Sequence, residues 1–488
     1  MMFRFLTVGF LALTVSSVYA EHPNVLLIMC DDLNCDLGCY GDPIVRSPNI
    51  DRLAERGVRF NQAHCQYPLC GPSRASMMTG LYPDQTLIKA NAIRIRQTMA
   101  DVITMPQAFR AAGYMATRVG KIYHYNVPRH IGTAGHDDPY SWNRTFNPRG
   151  RDVDDEPLIF SLRPGSFGGT LSWLAADGTD EEQTDGIGAD TACDLLREHA
   201  NDEAPFFLAV GLFRPHTPYV APKKYFELYP TEEIDVPEVP DGYFETIPHP
   251  AKNTLLKKKD QRNLPKELGR QAIQAYHASI TFADKQIGKI LDALDDSELT
   301  KNTIVVFTSD HGYHLGEHGH WQKQTLYQNA TQVPLIVAGP GVTPGVGEFA
   351  ELVDVYPTVC ELAGINPPDA LAGRSLVPVL SGKAESVRTS ALSHHSEGYA
   401  LREGSFRFVL WGENGMDGLE LYDHSIDPDE MTNVASEAKY ADVAADFSRR
   451  IRKRIADAKA KPKGLRQTKA ATVKGIPHPE DIRERLYQ

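Results

Sequence analysis

The sequence lacks internal repeats and low-complexity tracts, and beyond its first twenty residues it has no apolar run long enough for a membrane helix. It also lacks an excess of positive charge, because 63 acidic residues outnumber 51 lysines and arginines and give a formal net charge of −12. Acidic proteins are poor nonspecific binders of nucleic acid. The sequence therefore predicts neither a nucleic-acid partner nor a membrane span, and an anionic substrate would need a local concentration of positive charge.

The composition is that of a globular protein. Hydrophobic residues make up 42% of the 488 positions and charged residues 23%, which is typical neither of a disordered chain nor of a membrane protein. A chain of this length exceeds the usual size of a single core, so we expect two domains.

The first twenty residues have the pattern of a secretory signal peptide. Arg4 precedes an apolar run over residues 5–15, and small residues follow up to Ala20. The run is too short to span a bilayer. No cysteine stands directly after Ala20 to accept a lipid. We therefore predict export, to the periplasm or the extracellular space if the source is bacterial.

An exported chain with an odd number of cysteines is expected to leave one of them free or modified. Spacing does not reveal how the others would pair, and our candidate for the odd one is Cys70. The seven are Cys30, Cys35, Cys39, Cys65, Cys70, Cys193 and Cys360.

The stretch from Cys70 to Gly80 reads as a tight turn that leads into a helix. Pro72 suits a first helical turn, and Gly80 suits a helix end. Cys70 would then lie at a helix N-terminus, where free N–H groups favour an anion. Arg74 follows one turn later on the same side. The alternative is an ordinary buried cysteine in a packing site.

Two buried strands are each followed by acidic residues. The apolar run 24–29 precedes Asp31 and Asp32, and the run 303–309 precedes Asp310 and His311. Ligands bind at the carboxyl ends of strands in open α/β sheets, and adjacent buried acids need a cation. We therefore expect both strand ends to converge on one cation; the alternative for Asp31 and Asp32 is a surface capping pair.

Polar residues also follow two further predicted strands, 114–119 and 206–211. Lys121 and His124 come after the first strand, and His216 lies between prolines after the second. Near an anion these residues would clamp it and transfer protons. From the local sequence alone, Lys121 and His124 are also compatible with a solvated loop, and His216 is also compatible with a structural aromatic–proline corner.

Two loop regions carry weaker signals. We interpret His314, His318 and His320 as part of a solvated, glycine-rich loop rather than a zinc site. Residues 126–180 are rich in Gly, Pro, Asp and Arg without sustained periodicity, and we predict a long irregular insertion near the mouth of the site.

The order of elements predicts an α/β fold with a mostly parallel central sheet sandwiched by helices. Residues 271–294 read as a long helix. Residues 400–411 and 420–423 read as antiparallel strands, followed by a helix over 440–458. These last elements predict a smaller C-terminal α+β subdomain built on an antiparallel sheet.

These motifs together resemble the type I, formylglycine-dependent sulfatases of the alkaline phosphatase superfamily, and the iduronate-2-sulfatase branch in particular. The resemblance covers residues 24–433 in the family's motif order. It is carried by the Cys-x-Pro-Ser-Arg string at Cys70, Val119-Gly120-Lys121, Phe213-Arg214-Pro215-His216 and Ser309-Asp310-His311-Gly312. It implies an alkaline phosphatase-like catalytic domain over residues 21–370. A smaller subdomain over 371–488 would end in a basic, loosely held tail.

The resemblance also implies the site residues. One divalent cation would be bound by Asp31, Asp32, Cys70, Asp310 and His311, with calcium favoured by the oxygen-rich set. His311 stands where asparagine is commoner in the family. Cys70 would be oxidised to formylglycine, whose hydrate is the nucleophile.

Further roles come from the same resemblance. Arg74 would help to hold the nucleophile, and Lys121 and Lys323 would neutralise the sulfate oxygens. His216, with Lys323, would protonate the leaving sugar oxygen, and His124 would accept a proton when sulfate is expelled.

The leading hypothesis is therefore an exported sulfatase acting on a sulfated sugar, such as a fragment of a glycosaminoglycan or another polysaccharide. Its maturation would require a formylglycine-generating or sulfatase-maturating enzyme. The rivals are a phosphatase or phosphodiesterase of the same superfamily and a noncatalytic glycan-binding homologue. Which sugar is bound stays open. Candidate contacts are Lys89, Arg94, Arg96, His394 and His395.

Overall fold

The structure is a computed structural model, and it describes residues 22–470. The predicted signal peptide, 1–20, lies outside the described residues, as does the tail from 471 onward. No helix in the described part of the chain combines the length and the apolar character that crossing a bilayer requires.

The strands build one large sheet and three smaller ones. The large sheet has eight strands in the order β13-β2-β12-β9-β1-β7-β3-β4. All its neighbouring pairs are parallel except those made by β12, so the predicted mostly parallel sheet is confirmed. The strands are β1 (Asn24–Cys30), β2 (Gly57–His64), β3 (Met115–Gly120), β4 (Arg144–Phe146), β5 (Phe160–Ser161), β6 (Ser172–Ala176), β7 (Phe206–Gly211), β8 (Tyr219–Pro222), β9 (Thr303–Ser309), β10 (His314–Leu315), β11 (Trp321–Gln322), β12 (Leu335–Ala338), β13 (Gly345–Glu351), β14 (Ser390–His395), β15 (Gly398–Glu403), β16 (Phe406–Trp411) and β17 (Gly418–Asp423).

Helices connect these strands, and the longest is 31 residues. It extends beyond the predicted range 271–294 at both ends. The helices are α1 (Pro48–Arg56), α2 (Cys70–Thr79), α3 (Pro83–Thr86), α4 (Ile95–Thr98), α5 (Met105–Ala111), α6 (Arg151–Asp154), α7 (Thr184–His199), α8 (Lys223–Phe226), α9 (Tyr243–Thr246), α10 (His249–Leu255), α11 (Lys266–Asp296), α12 (Gln328–Thr331), α13 (Val355–Leu362), α14 (Val377–Leu380) and α15 (Ala441–Lys459).

Both faces of the large sheet are covered by helices, as predicted. Successive side chains of a strand point to opposite faces. In β1, Leu26 and Ile28 join a core with residues of α7 and α11, whereas Leu27 and Met29 join a second core with residues of α2 and α13. This explains why β1 is apolar at every position from Val25 to Cys30 rather than at alternate ones.

The C-terminal sheet, β14-β15-β16-β17, is antiparallel throughout, which confirms the predicted α+β unit. The run 400–411 is two strands rather than one, because the chain turns at Gly404 and Ser405. One face packs on α15 through Phe447 and Ile451. The other face packs through Trp411 and its neighbours on α10 and the loop before α12.

The chain after α15 differs from the expected loose tail as far as the structure describes it. The Thr468 N–H donates to the carbonyl of Thr98 at 2.7 Å, and Leu465 packs against the core that contains α2. Residues 460–470 therefore cross back over the larger unit.

Candidate active site

Four neighbouring parallel strands deliver the predicted polar residues to one edge of the sheet. In the sheet order β9-β1-β7-β3, the carboxyl ends are followed by Asp310, Asp31, the loop to His216, and Lys121. Parallel neighbours end at the same edge, so residues far apart in sequence become neighbours there. This arrangement brings together the residues that the sequence predicted to converge.

Helix α2 supplies Cys70 as its first residue, and all ten residues of the helix are buried. The helix ends at Gly80 in the left-handed conformation (φ 66°), as the sequence predicted. The N–H of Gly71 donates to the Asn91 side chain at 2.8 Å, which satisfies one of the free donors of the first turn. Cys70 therefore lies at a buried helix N-terminus.

Polar side chains from other elements surround the Cys70 sulfur. Its Sγ lies 3.3 Å from Nε2 of His311, 3.5 Å from Nζ of Lys323 and 3.7 Å from Oδ1 of Asp32. Burial alone would raise the pKa of the Cys70 thiol, but Lys323 and then Lys121 outweigh it and lower the pKa. Position 70 is thus a place where the structure stabilises negative charge.

Arg74 lies between two of the acids rather than facing open space. Its guanidinium donates to Asp31 Oδ1 at 2.9 Å and to Asp310 Oδ2 at 2.8 Å. It also donates to the carbonyls of Lys121 and Ile122 at 2.7 and 2.9 Å. These contacts differ from the predicted hold on the nucleophile, and they make Arg74 the residue that fixes two carboxylates.

Two buried lysines form ion pairs with two of the acids. Lys121 forms an ion pair with Asp31, and Nζ of Lys323 lies 2.5 Å from both carboxylate oxygens of Asp32. Buried ions are tolerated when they are paired. Three acidic side chains thus face three basic ones. Together with Cys70 and His311 we call them the Cys70 cluster: Asp31, Asp32, Asp310, Arg74, Lys121 and Lys323.

The neighbouring acids have different electrostatic surroundings. Burial raises the pKa of Asp32 to about 7, against the opposing charge of Lys323. Burial acts on Asp31 as well, but Lys121 and the other cationic groups around it hold its pKa well below the usual range. Burial also lowers the pKa of His311, yet Asp310, Cys70 and Asp32 reverse this and raise it to about 9.

The donor set fits a divalent cation. Ligand atoms of Asp32, Cys70, Asp310 and His311 all lie within 4.8 Å of one another, and all four residues are buried. The Nδ1–H of His311 can donate to the carbonyl of Gly312 at 2.9 Å, which leaves Nε2 free to bind a metal. Asp31 falls in an overlapping group with Asp32 and His216.

Two histidines lie at the entrance to the Cys70 cluster. His216 Nε2 is 3.8 Å from Asp32, and its Nδ1 faces the carbonyl of Thr217. His124 Nε2 lies 3.1 Å from Asn126 Oδ1, and its buried Nδ1 has no hydrogen-bond partner among the described residues. Burial and then Lys121 lower the pKa of His124 to about 3, and burial with Lys323 lowers that of His216. Both imidazoles are neutral near pH 7 before substrate binds.

A cavity of about 330 Å³ opens beside these histidines, a size suited to a small ligand. The predicted insertion contributes to its wall, because two of its segments line the cavity. Several lining residues were not predicted from the sequence: Asn91, Lys258, Gln322 and Gln324. The full lining comprises Leu69, Asn91, His124, Tyr125, Asn126, Val127, Gly168, Gly169, His216, Lys258, Gln322, Lys323 and Gln324.

The candidate substrate contacts from the sequence lie elsewhere, since none of Lys89, Arg94, Arg96, His394 and His395 lines this cavity. Arg96 is bound to Asp138 at 2.8 Å and to neighbouring carbonyls. His394 stacks on Tyr399 and lies 3.3 Å from Asp84, the acid that also pairs with Lys89. His395 packs edge-on against Tyr67. Local partners hold these side chains away from the cavity, while Arg94 is only half-buried at the start of α4.

The histidine-rich loop is buried, so the predicted solvated loop is wrong. His314 and His318 are fully buried and His320 is 2% exposed. His318 stacks on Tyr327 with ring centroids 4.0 Å apart, and its Nδ1 lies 2.7 Å from the Tyr243 hydroxyl. The three rings do not form one of the possible metal groups found in the described part of the chain.

Comparisons with known proteins agree with this geometry. The sulfatase family model matches residues 23–365, and a model of the C-terminal region of N-sulphoglucosamine sulphohydrolase matches residues 316–457. A sulfatase of Formosa agariphila is 35% identical over 86% of this chain and 84% of its own length. Iduronate 2-sulfatase of Homo sapiens is 35% identical over 71% of this chain and 70% of its own.

A solved structure points the same way. That of a 2-O GAG sulfatase superposes with a TM-score of 0.69 at 25% identity, covering 92% of this chain and 95% of the other. Because the sulfatase model spans most of the chain and relatives above 30% identity cover more than two thirds of it, the chain belongs to the sulfatase family, the hydrolases of sulfuric esters.

Proposed function

We propose that the protein is an exported sulfatase that removes sulfate from a sulfated sugar, using formylglycine made from Cys70 and one divalent cation. The observation that carries the proposal is the position of Cys70. Cys70 begins a buried helix, and its Sγ lies among ligand atoms of Asp32 and Asp310 and within 3.5 Å of His311 and Lys323. An unmodified structural cysteine has no need of such surroundings.

Asp31, Asp32, Asp310 and His311 would hold the cation together with the modified side chain of residue 70. Calcium is the best match, because carboxylate oxygens dominate the set. When bound, the cation supplies positive charge that lowers the pKa of a hydroxyl and neutralises a sulfate oxygen. Arg74 keeps Asp31 and Asp310 at the spacing seen here, through two charge-assisted hydrogen bonds.

Formylglycine would supply chemistry that a thiol lacks. Its hydrate is a geminal diol, in which one hydroxyl can attack sulfur and the other allows sulfate to be released again. Lys121 and Lys323 place two ammonium groups beside this position, where negative charge develops on the transferring sulfuryl group. Positioned charges of this kind are expected to supply much of the rate enhancement.

His216 and His124 suit opposite proton tasks. His216 lines the cavity near Asp32, and a bound sulfate monoanion would favour its protonated form, from which Nε2 can donate to the leaving sugar oxygen, with Lys323 as a second donor. His124 stays neutral and presents an unpartnered Nδ1, which can accept the proton of the second hydroxyl. Both groups act from a cavity wall that substrate can reach.

The size of the cavity and the names of relatives support a class of substrate. A volume of about 330 Å³ admits roughly one sugar ring. The names of two relatives, iduronate 2-sulfatase and 2-O GAG sulfatase, support a sulfated uronic acid or a related glycosaminoglycan sugar.

Maturation requires a partner enzyme and early access to Cys70. Cys70 is only 1% exposed in the folded chain. A formylglycine-generating or sulfatase-maturating enzyme would therefore act before α2 packs into the core. In an exported chain, this modification has to be coordinated with secretion. The signal-peptide pattern at residues 1–20 supports export.

The test begins with mass spectrometry of the peptide that contains residue 70, from protein made with a maturating enzyme. We expect formylglycine, together with sulfate release from 4-nitrophenyl sulfate that greatly exceeds phosphate release from 4-nitrophenyl phosphate. Phosphate release as the faster reaction would favour the phosphatase alternative. An unmodified thiol in the native host and no sulfate release would favour a noncatalytic glycan-binding protein.

A further inference from the structure

A lysine that the proposed reaction does not use lies in the wall of the active-site cavity. Lys258 follows α10 and is half-buried, and its Nζ donates to the carbonyl of Gly169 at 2.7 Å. Gly169 lines the same cavity, as do His216 and Lys323. The ammonium group of Lys258 is therefore hydrogen-bonded to the wall of the cavity.

Lys258 has no carboxylate partner, in contrast to the lysines of the Cys70 cluster. No acidic group among residues 22–470 lies within ion-pair distance of its ammonium group. The nearest acid in sequence, Asp260, instead accepts a hydrogen bond from Thr170. Burial lowers the pKa of Lys258, and the positive charge of Lys323 lowers it further, against a smaller opposing effect of the Asp260 carboxylate. An anion placed between the two ammonium groups would favour the charged form of Lys258 and so oppose both effects on its pKa.

Hydrogen bonds connect the segment that carries Lys258 to the loop that carries Lys323. The two ring nitrogens of His320 lie 2.8 Å from the carbonyl of Leu255 and 2.9 Å from that of Lys323. Nζ of Lys257 donates to the Gln324 side chain at 3.2 Å. These contacts fix the backbone segments that carry the two lysines relative to each other, and such preorganisation favours a ligand with two charges at a set spacing.

The backbone around Lys323 is also unusual. Gln322 and Gln324 both have positive φ, 83° and 74°, a conformation that residues other than glycine rarely adopt. Strain of this kind persists where the surroundings hold it, often at functional sites. Both residues line the cavity, so the wall between Lys323 and Lys258 has a defined shape.

We infer that Lys258 is a specificity residue that binds a second anionic group of the substrate, apart from the sulfate that is removed. This inference rests on the proposed function and adds to it that the preferred substrate carries at least two negative charges. The second charge is either a uronate carboxylate or another sulfate ester. Lys257, which donates to the side chain of the cavity residue Gln324, adds positive charge near Lys258.

The experiment compares matched substrates on the mature enzyme. The carboxylate arm uses a 2-O-sulfated uronic acid disaccharide and its carboxyl-reduced counterpart, and the sulfate arm uses a disulfated sugar and its monosulfated counterpart. Wild type should prefer the substrate with the second anion in one arm, which identifies its source. In Lys258→Met, KM for that substrate should rise roughly 10- to 100-fold, the value of one charge-assisted hydrogen bond, with a small change in kcat. Lys258→Arg should retain most of the preference.

Lys259→Gln is the matched control, because Lys259 is exposed and does not line the cavity. It should keep the wild-type preference. The inference is overturned if wild type cleaves the charged and neutral members of both pairs equally well. It is also overturned if Lys258→Met lowers kcat/KM by the same factor for every substrate, as a general loss of structure would. A wild-type enzyme that releases no sulfate even from 4-nitrophenyl sulfate would instead overturn the proposed function, and this inference with it.

Discussion

Two clusters of buried charge, both in contact with the segment 318–327, are built differently. One is the Cys70 cluster. The other, which we call the interface network, joins the C-terminal sheet to the larger unit and consists of Arg407, Glu420, Glu430, Tyr327 and His318. Arg407 pairs with Glu430 and donates to the carbonyl of Leu326 at 2.9 Å. The hydroxyls of Tyr422 and Tyr327 donate to Glu420.

The carboxylates of the interface network are satisfied by the protein itself. Trp411 and Tyr422 complete the hydrogen bonds of Glu420, and the backbone N–H of Gln328 donates to Glu430. In the Cys70 cluster, by contrast, the ligand atoms of four residues converge within 4.8 Å beside a cavity. Buried charge alone therefore does not mark a functional site. The useful signs are converging ligand atoms and access for a small molecule.

The largest expected effect comes from removing the nucleophile position. Cys70→Ala should lower sulfate release by at least roughly 1,000-fold, because no other residue can supply the diol. The melting temperature should change little, since the substitution removes one small atom group. Cys193→Ala removes the same group from a buried site on α7, and it should retain activity. Substantial turnover by Cys70→Ala would refute the mechanism.

Removing one cation ligand should also affect the Cys70 cluster and not the interface network. Asp310→Asn should reduce kcat/KM by roughly 100-fold or more. In wild type, calcium at 100 times its Kd should add about 2.7 kcal/mol to the free energy of unfolding, and this gain should be lost in the variant. Thermal unfolding with calcium and with a chelator measures it.

The control for this comparison is Glu420→Gln, which removes a carboxylate from the interface network. It should lower stability yet keep the full response to calcium. An undiminished calcium response in Asp310→Asn would place the cation elsewhere.

The interface network should respond to substitution through stability. Arg407→Met leaves Glu430 buried with one cationic partner fewer, a change that costs about 3–5 kcal/mol when buried pairs are broken. The kcat of the folded protein should remain close to wild type. Denaturant unfolding and active-site titration separate the two effects. Arg449→Met, on an exposed side chain of α15, should leave both quantities nearly unchanged. A large loss of kcat with unchanged stability in Arg407→Met would contradict this division.

Much of the Cys70 cluster could be predicted from the sequence, because its residues directly follow recognisable strands. Asp31, Lys121 and Asp310 each stand within one or two residues of a strand end. Parallel strands carry such residues to a common edge, so local pattern and sheet topology were enough. Their roles in catalysis stay predictions until they are tested.

Lys258 could not be predicted in the same way. Three consecutive lysines, 257–259, are visible in an acidic chain, but no strand or motif connects them to the site. Their position depends on His320, which reaches across to Leu255. The substrate contacts proposed from isolated charges lie away from the cavity, and local acids bind some of them, as Asp138 binds Arg96.

The prediction that the histidine-rich loop is solvated was wrong because the residues that bury it come from much later in the sequence. Glycines and histidines suggested exposure, whereas β16 and β17, about ninety residues later, contribute Trp411, Tyr422 and Arg407 above Tyr327 and His318. This difference has a measurable consequence, because a buried neutral histidine links stability to pH and a solvated one does not.

The smallest effect we predict is this pH dependence. Burial lowers the pKa of His318 from 6.5 to about 3. Below pH 6.5 the unfolded chain binds a proton at His318, whereas the folded chain does not. The free energy of unfolding therefore falls as the pH drops from 6.5 toward 3. At pH 5 the loss from this one residue is about 2 kcal/mol. His318→Gln should therefore lose less stability than wild type between pH 7.5 and pH 5, whatever its stability at pH 7.5.

Denaturant unfolding at several pH values measures the two slopes. His249→Gln is the control, because His249 is exposed, and it should follow the wild-type slope. Identical slopes for wild type and His318→Gln would mean that His318 titrates equally in both states. The loop would then be accessible to water as the sequence first suggested, and the interface network would lose one of the contacts that distinguish it from the Cys70 cluster.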